Sequence, residues 1–301
     1  MIYLLLTSSI EGSCEIVLEL LFDPLMHNAF IAGIIIASTF SLLGIFVILR
    51  QVVFIGIAMA QAASAGVAFS FFVTGASITL LSSIPGILPD GAAIILWPAV
   101  FTVLSVLIIS KFSDNRKLPS DASIGIIFSL LWALAIMFVA NSGQGIARVR
   151  NLIEGDLLMV CSNDLIIIGF LGVTVTGALL ILWKHHLLVS FDEDMACALG
   201  YRTDLWTYGF FVLLGLAIVL SIPYAGLLAI FTLMVVPPSI GLYVGKSIRT
   251  AVVISLLTAV ISTGGGLSLS LYGDLPASPL INLCSVAIGL LLILFSKLLT
   301  G

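Results

Sequence analysis

Apolar residues fall along this chain in long, nearly unbroken blocks, without the strict alternation of a half-buried strand or the 3.6-residue period of a surface helix. Each block is about 20 residues long, the length an α-helix needs to cross the hydrocarbon of a bilayer. The blocks cover residues 28–49, 52–73, 92–110, 121–140, 164–183, 205–222, 227–244, 250–271 and 280–299. They predict an all-α polytopic membrane protein with about nine transmembrane helices, eight to ten if a half-helix is missed or two are merged. A single transmembrane domain is expected over residues 28–301, preceded by an N-terminal surface segment over residues 1–27. That segment carries Glu11, Glu15, Glu19 and Asp23 at i, i+4 spacing opposite Ile16, Leu18, Leu20 and Leu21, the pattern of an amphipathic helix. It lacks an initial positive charge and an A-x-A site, so it is not expected to be a signal peptide.

Within this pattern, small residues and prolines assign roles to particular spans. The second block reads G-I-A-M-A-Q-A-A-S-A-G from Gly56 to Gly66, and small residues let helices approach closely in lipid. It is expected inside the bundle. Pro85, Gly86, Pro89 and Asp90 mark a loop over residues 74–91, and Pro223 to Gly226 are expected to break the chain between the sixth and seventh spans. Pro237 and Pro238 fall inside the seventh. Together, Pro223, Gly226, Pro237 and Pro238 are the expected hinge positions, because Pro removes backbone hydrogen bonds within a span.

Composition agrees with this pattern and excludes several classes. Of 301 residues, 61% are apolar and 9% charged, against about 25% charged in a soluble domain. Cys14, Cys161, Cys197 and Cys284 are far apart and form no C-x-x-C pair, so neither a disulfide framework nor a thiolate metal site is indicated. No phosphate loop, H-E-x-x-H or G-x-S-x-G motif is present. Enzyme chemistry is not expected, nor is nucleic-acid binding or a bound cofactor. Few ionisable residues fall within the blocks, whereas ion-coupled carriers keep such groups near the midplane. The polar groups there are Gln61, Ser64, Ser105, Ser129 and Asn282. A passive pore or an externally powered permease fits better than a coupled carrier. If Arg50 is cytoplasmic, alternation puts nine of the eleven Lys and Arg residues on that side, leaving Arg148 and Arg150 outside. The N-terminus is then outside and the C-terminus cytoplasmic.

The most polar stretch in the body of the chain is L-L-V-S-F-D-E-D-M-A-C-A-L-G-Y-R, Leu187 to Arg202. Asp192, Glu193 and Asp194 would each cost roughly 2.5–3.5 kcal/mol at a bilayer centre, so they belong in water or against another protein. Ser190 is placed as an N-cap, the acids fill a first turn, and Gly200 is placed as the terminator. Phe191, Met195 and Leu199 give the helix so defined one apolar stripe. An interfacial helix and a docking helix for a soluble partner both fit. Of the three histidines, His185 and His186 are adjacent near the end of the fifth block, and His27 follows Asp23. None has the spacing of a metal site.

The run V-S-F-D-E-D-M-A-C-A-L-G resembles the cytoplasmic coupling segment of the permeases of zinc, manganese and iron ABC importers, an acidic cluster followed by A-x-A-L-G. The likeness extends from about Ala29 to Leu294. Leu42–Arg50 is similar to G-L-L-G-V-F-L-V-L-R, Asp121–Ile126 to D-A-A-I-G-I, and Glu154–Leu158 to F-G-D-I-L. Gly226 to Pro237 is similar to G-V-L-L…I-I-P, and Leu269–Pro276 to L-S-Y-Y-L-D-L-P. The resemblance implies a cobalamin-importer-like membrane fold in the bacterial cytoplasmic (inner) membrane. It also implies a cytoplasmic ABC ATPase that binds the ATP, a second permease chain, identical or homologous, and an extracytoplasmic metal-binding protein. Ser190, Phe191, Asp192, Glu193, Asp194, Ala196, Leu199 and Gly200 would then couple this chain to the ATPase. One departure stands out. The family's second span opens G-D-A-L-S-H-A, whose Asp and His face the permeation path, but here Ile57 and Gln61 hold those positions. A borderline cation prefers carboxylate and imidazole over an amide oxygen. This half of the path is therefore expected to hold a metal poorly, and pairing with a permease that keeps both ligands would compensate. A stand-alone channel or carrier remains the rival reading.

Overall fold

The structure, a computed structural model, describes residues 24–80, 90–114, 120–141, 155, 157–191, 193–273 and 275–300. The acidic ladder before residue 24, the segment with Arg148 and Arg150, and Asp192 lie outside the described residues. Eleven α-helices and one short 3-10 turn, Leu157–Met159, are formed among them. The helices are α1 (Pro24–Leu49), α2 (Val53–Leu80), α3 (Asp90–Asp114) and α4 (Ser120–Asn141). Then come α5 (Ser162–Ile181), α6 (Trp183–Phe191), α7 (Glu193–Ala198) and α8 (Thr203–Ala225). Finally there are α9 (Leu227–Val244), α10 (Ile248–Gly273) and α11 (Ala277–Thr300). Among the described residues, 8 helices are long and apolar enough to cross a membrane, and α3 supplies a shorter apolar stretch, Leu96–Ile109. All nine blocks read from the sequence thus fall on helices.

Helices prevail because hydrocarbon offers backbone N–H and C=O groups no water, so each must be satisfied within its own segment. Several hydroxyls inside the spans follow the same rule, while those of Ser221, Thr263 and Ser285 are buried without a partner among the described residues. Thr39 donates to the Ile35 carbonyl at 2.8 Å, Ser64 to that of Ala60 at 3.2 Å and Thr102 to that of Pro98 at 2.7 Å. Ser129 is on the exposed outer face of α4, yet its hydroxyl is satisfied by the Gly125 carbonyl at 2.9 Å.

Two groups of helices make the bundle. In one, α2 packs against α3 and α4, with α8 against α2 and α3. In the other, α1 packs with α9, α10 and α5, and α11 packs on α9 and α10. The first two spans are the most enclosed, 72% and 78% buried, as the small residues of the second led one to expect. The two groups meet in a continuous core that includes Phe40, Phe46, Met59, Phe210 and Met234.

Two boundaries differ from the sequence reading. Helix α2 runs on to Leu80, past the expected end of the second span. Pro223 does not break α8, which continues through it to Ala225. The break falls at Gly226, whose φ of 76° and ψ of 160° are almost exclusive to glycine. Pro237 and Pro238 likewise lie inside an unbroken α9, buried. Gly226 is part of a tight joint. A Cβ on Gly155 (φ +62°) would lie 2.1 Å from its backbone nitrogen. Ser278 donates to the Ala225 carbonyl at 2.7 Å, and the Tyr224 hydroxyl donates to Asp164 Oδ1 at 3.2 Å. Of the four expected hinge residues, only Gly226 therefore marks a discontinuity between helices.

Candidate functional site

The acidic segment is carried by two short helices, and their attachment defines the site. Ser190 is not an N-cap. It lies in the last turn of α6, where its hydroxyl donates to the His186 carbonyl at 2.5 Å. The expected single helix from Ser190 to Leu199 is instead the end of α6 followed by α7. Gly200 does terminate α7, with φ at +85°. Its N–H reaches the Cys197 carbonyl at 2.9 Å, and the Tyr201 N–H reaches that of Ala196 at 3.1 Å, the paired bonds of a left-handed glycine cap.

Helix α6 is fastened to α1 and α8 by charge and by aromatic rings. Arg50 Nε donates to Ser190 Oγ at 2.9 Å, and its guanidinium carbon lies 4.6 Å from the centre of the Phe210 ring, a geometry in which the ring's negative face attracts the cation. The chain reaches this position through a turn in which Gln51 takes φ of 57°, the left-handed conformation usually left to glycine. His186 is 3% exposed and lies against Phe46, Trp206 and Phe210 at centroid distances of 6.0, 5.4 and 5.8 Å. His185 stacks on Trp206 at 4.8 Å with the rings 5° from parallel. Trp183 meets Phe46 edge-on at 4.9 Å. Sequence reasoning placed the histidines at a helix end but missed this packing, which joins residues far apart in the chain.

Burial, and after it the charges of Arg50 and His185, push His186 down from 6.5 to about 4. The folded state therefore keeps this imidazole neutral while the unfolded chain protonates it. Stability linked to His186 is complete above about pH 6.5 and is lost as pH falls toward 4. A single proton gives a slope of at most about 1.4 kcal/mol per pH unit. Thermal melts of the wild type between these limits are expected to fall more steeply than those of His186→Phe. Parallel profiles would contradict this.

Among the side chains of the segment that the structure describes, three large apolar ones face outward. Phe191, Met195 and Leu199 are 58%, 55% and 59% exposed, whereas Ala196 is wholly buried and anchors α7. The three residues of the stripe read from the sequence are thus exposed, although not on one helix: Phe191 closes α6, Met195 is in α7 and Leu199 lies just past its end. Gly200 sets the far end of the stripe.

The second group of candidates is in α2. Gln61 is 1% exposed, among Ala60, Ala62 and Ala63, and its Oε1 has no hydrogen-bond partner. Ile57, one turn earlier, is half-buried. Gln61 is thus closed off from the surface of this chain, whereas Ile57 is partly exposed. Among the described residues, no three His, Cys, Asp or Glu side chains come together to hold a metal ion.

Eight helices long and apolar enough to cross a membrane, among the described residues, define a multi-pass membrane protein. The model of the ABC 3 transport family matches residues 22–296, and the chain belongs to that family. It is a permease of the ABC transporter class in the bacterial cytoplasmic membrane. The chain is 26% identical over 262 residues to the high-affinity zinc uptake system membrane protein ZnuB of Buchnera aphidicola, covering 87% of this chain and 94% of that protein. It is 27% identical over 230 residues to the manganese import system permease protein ScaB of Streptococcus gordonii, covering 76% of each. Among solved structures it resembles a chain of PsaBC from Streptococcus pneumoniae, with a TM-score of 0.79, 24% identity and 93% and 94% of the two chains covered. At that identity the likeness shows the fold.

Proposed function

We propose that this chain is the membrane-spanning subunit of an importer for divalent transition-metal cations, zinc, manganese or iron, powered by a separate ABC ATPase. A second permease chain and an extracytoplasmic binding protein complete the assembly. The chain itself supplies no ATPase site, its N-terminus is outside and its C-terminus is cytoplasmic. The observation that carries this reading is the exposed stripe of Phe191, Met195 and Leu199 on helices tied to α1 and α8. A push on α7 reaches α1 through Arg50 and Phe46, and reaches α8 through Trp206 and Phe210. Those two helices belong to the two different groups of the bundle, so the movement shifts one group against the other, a rigid-body switch. Gly226, the discontinuity between α8 and α9, is the joint about which they turn.

Uptake of radiolabelled zinc, manganese and iron by cells expressing the complete system tests the proposal. Uptake of at least one should stop when ATP is depleted with the membrane potential clamped. Uptake that persists would mean a stand-alone channel or carrier.

With Ile57 and Gln61 in place of the family's Asp and His, we further propose that the partner permease is a different chain that supplies those ligands. Gln61→Ala should then leave uptake almost unchanged, and complete loss in well-expressed protein would count against an asymmetric path. Because a buried unsatisfied amide costs about 1–3 kcal/mol, Gln61→Leu should raise the unfolding temperature. A lower temperature would mean that Oε1 has a partner in the assembly.

A further inference from the structure

The end of α8 remote from the coupling segment is held by contacts that the account so far leaves without a role. From Thr203 to Tyr224 the helix rises about 32 Å at 1.5 Å per residue, the hydrocarbon depth of a bilayer, about 30 Å. Tyr224 therefore stands across the membrane from α7. There its hydroxyl donates to Asp164 Oδ1 at 3.2 Å. The other oxygen of that carboxyl, Oδ2, accepts the N–H of Cys161 at 3.1 Å, closing a capping box at the start of α5. Asp164 thus serves two helices at once, fixing the start of α5 with one oxygen and the end of α8 with the other.

The neighbouring residues are held as well. Ser278 of α11 donates to the Ala225 carbonyl at 2.7 Å, and a Cβ on Gly155 would lie 2.4 Å from the Ala225 carbonyl carbon. Helices α5 and α11 belong to one group of the bundle and α8 to the other. The bond from Tyr224 to Asp164 therefore joins the two groups, two residues from the discontinuity at Gly226. When a rod turns about a point, each part moves in proportion to its distance from that point. Thr203 is about 34 Å from Gly226 along α8 and Tyr224 only about 3 Å. The bond sits where a turn of α8 displaces it least.

We propose that Asp164 is the positioning residue of this pivot. Through Tyr224 it keeps the far end of α8 in place, so that a push at the coupling end turns the helix instead of sliding it along its axis. The proposal rests on the reading of the chain as an ATP-driven permease and adds a residue to that reading. The bond stays made throughout the cycle. Without it the ATPase still turns over, but less of each stroke reaches the bundle.

The test is uptake per ATP hydrolysed, in proteoliposomes holding the complete assembly, with radiolabelled zinc, manganese or iron, whichever the system carries. Tyr224→Phe keeps the ring and leaves Asp164 its bond to Cys161. It is expected to lower uptake per ATP about fivefold or more, the low end of what one coupling contact contributes, with ATPase turnover and folded yield maintained. A bond that only stabilised the fold would lower the unfolding temperature and leave the ratio at the wild-type value, and that result would overturn the proposal. A second variant reads the motion itself and decides the matter if Tyr224→Phe folds poorly. It combines Asp164→Cys with Tyr224→Cys, in a chain whose four native cysteines are changed to Ser, and is measured with and without a short reducible bis-thiosulfonate bridge. Bridging should raise uptake per ATP above that of the unbridged form, because the contact does not move, and reductant should lower it again. Uptake arrested or left unchanged by the bridge would overturn the proposal. Uptake that persists without ATP would overturn the permease reading beneath it, and the pivot with it.

Discussion

Changing Met195 and Leu199 to Asp is expected to leave a folded permease that no longer retains its ATPase. Both side chains are more than half exposed, so the bundle loses little when they change. A protein partner seated on them loses the apolar anchors of its interface. Such anchors are worth about 2 kcal/mol or more each, roughly 30-fold in affinity. The loss should appear in pull-downs at equal folded yield, with ATP-driven uptake falling in step. Reversing the charge of Asp192, Glu193 and Asp194 to Lys should act differently, slowing association and changing its salt dependence more than it changes dissociation. If the Met195/Leu199 double variant retains the ATPase at wild-type affinity, the stripe is not the docking surface.

The second large effect is expected at Gly44, where even Ala should sharply reduce the amount of folded protein. Its Cβ would lie 1.9 Å from the Met234 carbonyl oxygen and 2.7 Å from Pro238 Cγ. Backbone cannot rotate aside as a side chain can, so α1 and α9 must separate across their whole contact. Overpacking of this kind costs about 3 kcal/mol at the upper end of its usual range, a large share of the roughly 5–15 kcal/mol that holds a domain folded. Gly125 and Gly169 are controls, since a Cβ on either meets nothing within 4 Å. Ala at those positions should be neutral or stabilising by up to about 1 kcal/mol. Folded yield in detergent, read by size-exclusion profile, separates the two cases. A normal profile for Gly44→Ala would contradict the close approach.

That contrast shows what was legible in the sequence. Nine apolar blocks became nine helices because a bilayer permits few other solutions, and the small residues of α2 correctly placed it inside. Helix ends were harder to read. Ser190 has the residue type of a cap, but it bonds to His186 and Arg50, and the Arg50 partner is 140 positions away. Pro223 has the residue type of a breaker, yet α8 passes through it and the turn waits for Gly226. His186 gave no local sign that it would be buried between α1 and α8. The exposure of Phe191, Met195 and Leu199 was legible because it follows from local charge and spacing, although the single helix expected to carry them is two. Their rigid attachment was not, because that depends on residues brought together only by the fold.

The account stands or falls on the partner at α7, and gentle co-purification tests it most directly. A tag on this chain in its own cells, followed by identification and counting of what accompanies it, should recover an ABC ATPase together with a second, different permease. An ATPase with two copies of this chain would keep the importer and place Gln61 in both halves of the path. Recovery of no ATPase across several detergents would contradict the central claim.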